Sequence, residues 1–518
     1  MLSSYRPSST VQVRSTCAIA LLLIGTAGGS SQTSGAPARA VQLPLSGQSS
    51  SGATVQQTTV PTAGSSVTTF NSQVQVRAPY NGSVPGQDNP QGSITLTLQE
   101  AVRRGLATNL GKIGADNASR QAYAQRLSAR STLLPTISAA VSENAAKADL
   151  AAEGFSASAF GVSGFNFPNV VGPFHYYDAR GTLQQNLLDF TAIHNFKSSQ
   201  QSENAARLDA TQAREDVVLA VTGSYLQLMA TLAQVEAQRA EIQYAQASYN
   251  QARAQADAGN KAPIDANRSL VELQTEQQRL RSQLGDLQKQ KNALARLIGL
   301  PLGLDLQVAE KLQIQPSDST TIEEVVRRSW EQRQDLKSVQ AQLHAAEEAR
   351  KAAGAERLPT ASVNGYFGIE GSNPNHGNGI FQGTASLNIP IFSGGRIHAD
   401  AIQADAVLDQ RRAELASERG AVELDVRNAY IDLSVANDQV GMADSNRKLA
   451  LATLQQSQDR FAVGVTDSVE VVSSQQALAA ADHDYVSSLF SQSLAKIALA
   501  HAMGETEKDV HELFKGNN

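Results

Sequence analysis

Residues 455–471 read QQSQDRFAVGVTDSVEV, and residues 250–266 read NQARAQADAGNKAPIDA. The second stretch occupies the same place in an earlier copy of one repeated unit. The two copies align without a gap from Tyr225 to Gly299 and from Tyr430 to Gly504, at a constant offset of 205 residues. A tandem duplication of this length predicts two equivalent structural units in related positions.

An upstream pair of segments extends the duplication. Residues 97–136 align with residues 321–360 at an offset of 224, so that Leu134-Pro135-Thr136 recurs as Leu358-Pro359-Thr360. The pattern predicts two domains of the same kind instead of the two to four unrelated domains that the length suggests. The expected order is a first repeat at 95–300, a linker at 301–320, a second repeat at 321–513 and a tail at 514–518.

Apolar residues recur every seven positions in the middle of each repeat, which predicts coiled-coil packing of a helix. In the first repeat they are Val221, Leu228, Val235, Ile242 and Tyr249. A helix over 193–258 would be roughly 100 Å long, far longer than the helices of a compact domain. Gly259 ends this helix and Gly464 ends its counterpart at 396–463, so each repeat is predicted to turn back in a helical hairpin. The other predicted helices are 98–132, 264–298, 322–356 and 468–503.

Between the helices the hydrophobic period changes from seven to two. Alternating apolar and polar residues predict strands at 359–370 and 380–391 and, less regularly, at 135–145 and 179–189. Their length of about ten residues suits the strands of an outer-membrane barrel. Four strands cannot close a barrel, and lipid does not tolerate an open sheet edge. Either the strands form an ordinary soluble sheet, or several chains pool them.

The N-terminus, residues 1–40, has the features of a signal peptide. Arginines precede an apolar stretch from Cys17 to Ala27, which is too short to span a bilayer. Cleavage is expected at Ala38-Arg39-Ala40 or near Ala27-Gly28. Because Cys17 is the single cysteine, the exported chain would contain no disulfide.

Residues 41–94 are rich in Ser, Thr, Gln, Gly and Pro without periodicity, and are expected to form a flexible low-complexity arm. The net charge of the whole chain is −6, with acidic and basic residues interspersed. Nucleic-acid binding needs a basic surface, so no nucleic-acid partner is expected.

The order helix, strand pair, long helix, hairpin and return helix, present twice, resembles the TolC-like outer-membrane efflux family. The resemblance covers about residues 95–513. Two local patterns add to it: Leu387-Asn388-Ile389-Pro390-Ile391-Phe392 followed by paired glycines, and Arg460-Phe461-Ala462-Val463-Gly464 before an acidic return helix. The first repeat keeps these patterns only in part.

The resemblance implies a fold that is mainly α with a β-barrel part. Duplicated long helices would form a tunnel in the periplasm, and three copies would give twelve strands to one barrel in the cell outer membrane. A homotrimer of this kind would contact outer-membrane lipid, a periplasmic adaptor protein and, through it, an inner-membrane transporter. The implied function is the exit channel of a tripartite efflux or type I secretion system, with no enzymatic activity and no cofactor.

The hairpin tips are the candidate functional site. The resemblance implies that Gly259 and Gly464 mark the tips that dock the adaptor. Under threefold symmetry Glu470 would form a ring of carboxylates at the narrow end, with Asp467 close by; such a ring attracts cations. The other reading of Glu470 is a solvated residue on a helix.

Family members hold the closed tip partly by a tyrosine–acid contact and by an arginine after the glycine. Here Phe461 and Thr466 occupy those two positions. The replacements predict a tip held more by packing than by polar contacts. Asp265 remains able to accept a bond from Lys261 or Arg268.

Two other classes of protein remain as alternatives. A soluble periplasmic coiled-coil scaffold or adaptor would have a single helical hairpin, whereas this chain has two hairpins and two strand pairs. A secreted hydrolase would need a nucleophile with a base, and no such arrangement is present in the sequence. His194, His398 and His483 have no partner at metal-ligand spacing, so no metal site is expected.

Overall fold

The computed structural model describes residues 53–61, 68–86, 92–150, 152, 169–314, 320–373 and 375–512. The described chain divides into two compact units. One contains residues 137–184 and 364–384, and the other contains the remaining described segments. The predicted signal peptide at 1–40 and the predicted tail at 514–518 lie outside the described residues.

The second unit contains all the described helices, arranged as two copies of one series. The first copy consists of α1 Leu98–Thr108, α2 Leu110–Ser131, α3 Phe190–Asp257 and α4 Pro263–Leu297. The second consists of α5 Ile322–Gln332, α6 Gln334–Ala355, α7 Arg396–Ala462 and α8 Ser468–Met503, followed by α9 Thr506–Glu512. The long helices α3 and α7 contain 68 and 67 residues, which corresponds to roughly 100 Å each.

A tyrosine in each long helix shows that the two copies are structurally equivalent. The hydroxyl of Tyr225 donates to the carbonyl of Leu96 at 2.9 Å, and that of Tyr430 donates to the carbonyl of Thr320 at 3.2 Å. Tyr430 follows Tyr225 at the offset of 205, and Thr320 follows Leu96 at the offset of 224. Both bonds tie a long helix to the chain that enters a short one.

The prediction of continuous helices at 98–132 and 322–356 is wrong at one equivalent position in each. Asn109 separates α1 from α2, and Arg333 separates α5 from α6, both with extended ψ angles of 132° and 128°. Asn109 stabilises its break by accepting from the amide of Gly111 and donating to the carbonyl of Tyr80. The hydrophobic period continues across the break, so the sequence pattern alone does not reveal it.

Four long strands form one sheet in the order β4-β5-β7-β8. They are β4 Thr136–Asp149, β5 Val170–Leu188, β7 Thr360–Gly371 and β8 Gly377–Asn388. β5 begins nine residues before the predicted 179, because a run of Val, Phe and Tyr residues with high strand propensity extends it. That run takes Tyr176 and Tyr177 into the strand.

The two faces of the sheet differ in polarity. In the first unit Ser138 and Thr182 are hydrogen-bonded across β4 and β5 on one face. Large apolar side chains are exposed at alternate positions, and Ile137, Val141, Phe367 and Phe381 are each at least 69% accessible. Since successive strand residues point to opposite faces, one face is polar and the other is apolar and uncovered.

The prediction of a featureless arm over 41–94 is wrong for its described part. β1 Ala53–Pro61 and β2 Thr68–Val76 pair antiparallel, with Ala53 opposite Val76. β3 Ser93–Leu96 pairs parallel with β6 Asp305–Val308, a strand within the predicted linker. Ala53, Leu96 and Leu306 are buried in the main apolar cluster, so tertiary burial compensates for the weak local pattern.

One helix in the described part of the chain, α3, has an 18-residue window apolar enough to cross a membrane by length and composition. Of that window 78% is buried inside the protein. Burial on all sides is typical of a core helix, which is hydrophobic around its whole circumference.

Substitution of Tyr225 by Phe should destabilise the helical unit by about 1–3 kcal/mol, because it removes a buried hydroxyl from the carbonyl of Leu96, which keeps only its bond from the amide of Ala309. The Tyr225 hydroxyl also bonds the carboxylate of Glu310, which adds to the loss. Thermal unfolding followed by circular dichroism measures the effect. The matched control is Tyr430→Phe, which removes one longer and less buried bond and should cost less; an equal or larger loss for the control would contradict the expectation.

Candidate functional site at the helical hairpin tips

The two hairpin turns have the same backbone conformation. Gly259 and Gly464 adopt left-handed φ angles of 74° and 78°, which a residue with a Cβ rarely adopts. After the first glycine the amide of Asn260 returns to the carbonyl of Gln255 at 2.9 Å, and after the second the amide of Val465 returns to that of Arg460 at 2.9 Å. These bonds satisfy carbonyls at the end of each long helix and reverse the chain.

Glu470 does not lie alone at the second tip. Its Oε1 accepts from Arg460 Nη1 at 3.0 Å, and its Oε2 accepts from the hydroxyl of Thr466. Asp467 is the N-cap of α8, where its carboxylate accepts from the amides of Val469 and Glu470. The carboxylate of Glu470 is therefore partly neutralised within its own hairpin.

Asp265 connects the two hairpins. It is buried, and its Oδ1 accepts from the hydroxyl of Ser468 at 2.7 Å. Arg268 lies 3.8 Å from the same oxygen, within ion-pair distance, as one of the two expected partners. The other expected partner, Lys261, bonds elsewhere. The sequence does not place Ser468 in the site, because a serine at the start of a helix is a common N-cap residue and its contact with Asp265 depends on the tertiary structure.

Lys261 makes a second connection between the hairpins. Its Nζ donates to the carbonyl of Thr466 at 2.9 Å and lies 4.8 Å from the ring centre of Phe461. A cation over an aromatic face gains electrostatic stabilisation in addition to the hydrogen bond. Polar contacts therefore also join the hairpins, through residues other than those of the family's latch; that the tip is held more by packing stays a prediction.

Phe461 nevertheless supplies packing as well. It is 3% exposed and lies in a small apolar cluster at the tip. The cluster contains Ala252, Leu454, Phe461, Val471 and Leu478, from α3, α7 and α8. Since α3 belongs to the first hairpin and α7 and α8 to the second, the cluster and the two polar contacts bind the same pair of hairpins together.

A shallow apolar groove runs between the first turns of α4 and α8. Its main lining residues are Ile264, Val271, Val469 and Val472. Ile264, Val271 and Val469 are at least half exposed, although buried positions are normal for such side chains. The tips thus carry an uncovered apolar surface beside their polar connections. Among the described residues, no group of three or more His, Cys, Asp or Glu side chains is arranged to hold a metal ion.

Comparison with known proteins gives the family. The family model described as "Outer membrane efflux protein" matches residues 115–300 and 325–505. Two curated relatives from Pseudomonas putida, the probable efflux pump outer membrane protein SepC and the toluene efflux pump outer membrane protein TtgF, are each 23% identical over 348 residues. The alignment covers 63% of this chain and 69% of each relative.

Solved structures share the fold. The outer membrane channel CmeC of Campylobacter jejuni is 17% identical with a TM-score of 0.69, over 81% of this chain and 90% of that chain. The outer membrane protein VceC of Vibrio cholerae is 17% identical with a TM-score of 0.66, over 79% and 96%. The duplicated helices, the four-stranded sheet and the family match agree, and the chain belongs to the outer membrane efflux protein family, serving as an outer-membrane exit channel for efflux.

Proposed function

We propose that three copies of the chain form one channel, exported by the segment 1–40 and docked to a periplasmic adaptor and an inner-membrane transporter. The transporter supplies the energy, and substrate leaves through one shared pore. The proposal rests on the unequal packing of the two long helices, α3 and α7. A soluble scaffold, the alternative considered from the sequence, would bury both helices within one chain.

Helix α3 packs on α1, α2 and α4 of its own repeat and also on α6 and α8 of the other repeat. Helix α7 packs on the equivalent neighbours α5, α6 and α8 of its own repeat. In the described residues it makes no comparable contact with α2 or α4. One flank of α7 therefore lacks the neighbours that the duplication leads us to expect.

The burial of equivalent positions supports this reading. All nine residues from 215 to 223 in α3 are buried, whereas only Val422 and Val426 are buried in the equivalent segment, 420–428, of α7. Leu219 and Leu226 are inaccessible, while their counterparts Leu424 and Ile431 are more than half exposed. A second copy that places its α2 and α4 against α7 would cover this flank, and repetition of the same contact closes a ring.

In this ring the apolar face of each four-stranded sheet would meet lipid, and the edge strands β4 and β8 of neighbouring copies would pair. Pooling the strands removes the open edges that a bilayer does not tolerate. Three copies would supply twelve strands, within the range of outer-membrane barrels.

The groove between α4 and α8 is our candidate for the adaptor contact. A helical hairpin is the partner chemistry that fits, because an amphipathic helix places its apolar residues into such a groove. Its position next to Gly259 and Gly464 supports docking at the tips. The exposed apolar residues of the groove supply the contact area.

The subunit arrangement predicts which residues meet between copies. Within one chain the hydroxyl of Ser338 donates to the carbonyl of Ala205 at 3.2 Å. The equivalent positions are Gly114 in α2 and Gln410 in α7, and both are exposed. Introducing Gly114→Cys with Gln410→Cys should yield covalently linked trimers on non-reducing gels, since the exported chain has no other cysteine.

The matched control is Ala205→Cys with Ser338→Cys, which should link within one chain and leave the protomer monomeric on the gel. Efficient linkage in the control without linked multimers in the test pair would contradict the proposed arrangement. A Cβ at Gly114 meets no atom within 4 Å, so the first substitution should not disturb α2.

Replacing Glu470 by Ala should lower the cation selectivity of the channel in planar lipid bilayers, because three carboxylates around the axis attract cations. Arg460→Gln is the opposite change, since it removes the cation paired with Glu470 and should raise selectivity. Reversal potentials under a salt gradient measure both effects. Unchanged selectivity in both variants would remove the carboxylate ring from the mechanism.

Loss of the polar connections should open the tips. Lys261→Met with Ser468→Ala removes the two polar contacts that join the hairpin turns, each worth about 1.5–3 kcal/mol as a hydrogen bond to a charged group. The expected result is a larger conductance in planar bilayers. Lys289→Met, a control at an exposed lysine in α4, should conduct like the wild type; conductance that stays at the wild-type value in the double variant would assign closure to packing alone.

A further inference from the structure

Glu241 is a buried acid that the channel function does not explain. It lies in the C-terminal half of α3 and is 5% exposed. Its Oε1 is buried without a hydrogen-bond partner. A charged oxygen in such a place loses its hydration without a hydrogen bond to replace it, which is costly.

The groups around Glu241 add negative charge. Glu276 of α4 and Asp482 of α8 both act on it electrostatically, and the buried Glu272 of α4 interacts in turn with Glu276. The nearby cations are already committed: Arg279 pairs with Glu276, and Arg447 of α7 pairs with Asp482. Tyr485 of α8 stacks against Arg447 and brings no charge.

The neighbouring acids have partners of their own. Glu276 accepts from the side-chain amide of Gln238, and Glu272 accepts from that of Gln476 at 3.2 Å. Glu241 is thus the acid at the junction of α3, α4 and α8 whose buried oxygen receives no donor. Burial, followed by repulsion from Asp482 and Glu276, raises the pKa of Glu241 to about 7.

The second repeat shows that coiled-coil packing does not require an acid here. The residue equivalent to Glu241 is Asn446, and the residue equivalent to Glu276 is Ala481. A neutral amide therefore occupies the same helical position in α7. The carboxylic acid is a property of the first repeat alone.

We propose that Glu241 is a proton-operated contact between the α3–α4 hairpin and α8. When its carboxyl group holds a proton, the three helices pack closely; when it is ionised, repulsion from Asp482 and Glu276 loosens α8 from the first hairpin. The inference depends on contacts within one chain, so it stands apart from the proposed trimer. In a channel it would make the packing of the helical walls sensitive to pH near neutrality.

The sign of the effect follows from the raised pKa. An unfolded glutamate ionises near its ordinary pKa of about 4.3, so the folded state holds its proton to higher pH than the unfolded state does. Ionisation of Glu241 therefore lowers the free energy of unfolding progressively as the pH rises from about 4.3 to about 7, and the loss is constant above that. The variant Glu241→Gln, which is neutral at every pH, should escape this loss.

The experiment compares thermal unfolding of full-length wild type and Glu241→Gln between pH 5.5 and 8, followed by circular dichroism. The midpoint of the variant should exceed that of the wild type by several degrees at pH 8, and the difference should shrink towards pH 5.5. Glu236→Gln removes an exposed carboxylate from the same helix and should give no pH-dependent difference.

Arg447→Gln provides an independent check, because it leaves Asp482 without its counter-ion. Glu241 should then hold its proton to higher pH, and the loss of stability should extend upward in pH. Two results would overturn the proposal: a Glu241→Gln variant whose midpoint follows the wild type at all pH values, or one that is lowered equally at all of them.

Discussion

The packing of α3 is the constraint on which the helical unit depends. A helix of 68 residues cannot be stabilised by its own hydrogen bonds alone, and it persists because other helices bury it along its length. In its middle every side of the helix is covered, from Val217 to Tyr225 and beyond. The strands β3 and β6 and the helix α1 close that core, and Tyr225 fastens it to the chain that enters α1.

The same constraint explains why the duplication matters for assembly. Equivalent sequence produces equivalent helices, but in a single chain only one side of each repeat packs against the other repeat. α3 lies at this interface between the repeats, and α7 lies on the uncovered side of the second repeat. Leu424 and Ile431 of α7 therefore remain exposed, although they match the buried Leu219 and Leu226 of α3 in kind. In the proposed ring another copy of the chain covers them. A repeat that leaves one flank open is a natural basis for a closed ring.

The two repeats have diverged at the points where they bear on function. At the tips, Lys261 and Asp265 of the first repeat each bond a residue of the second, while Arg460 and Glu470 pair within the second. Further from the tips, the first repeat buries Glu241 at the position where the second repeat has Asn446. Structural equivalence thus fixes the positions of these side chains, and divergence decides their chemistry.

The offset of 205, the heptads and the turn glycines determined by themselves that two long helical hairpins exist and where they turn, because periodicity and positive φ are local properties of the chain. Alternation likewise located four strands. The breaks at Asn109 and Arg333, the pairing of β1 with β2 and the bonds of Lys261 and Ser468 were decided only by the tertiary structure. The bonds of Lys261 and Ser468 join residues far apart in the chain, and the pair of β1 and β2, although local in sequence, packs on α3 and α8. A buried group such as Glu241 likewise acquires its unusual proton affinity only from the helices that enclose it.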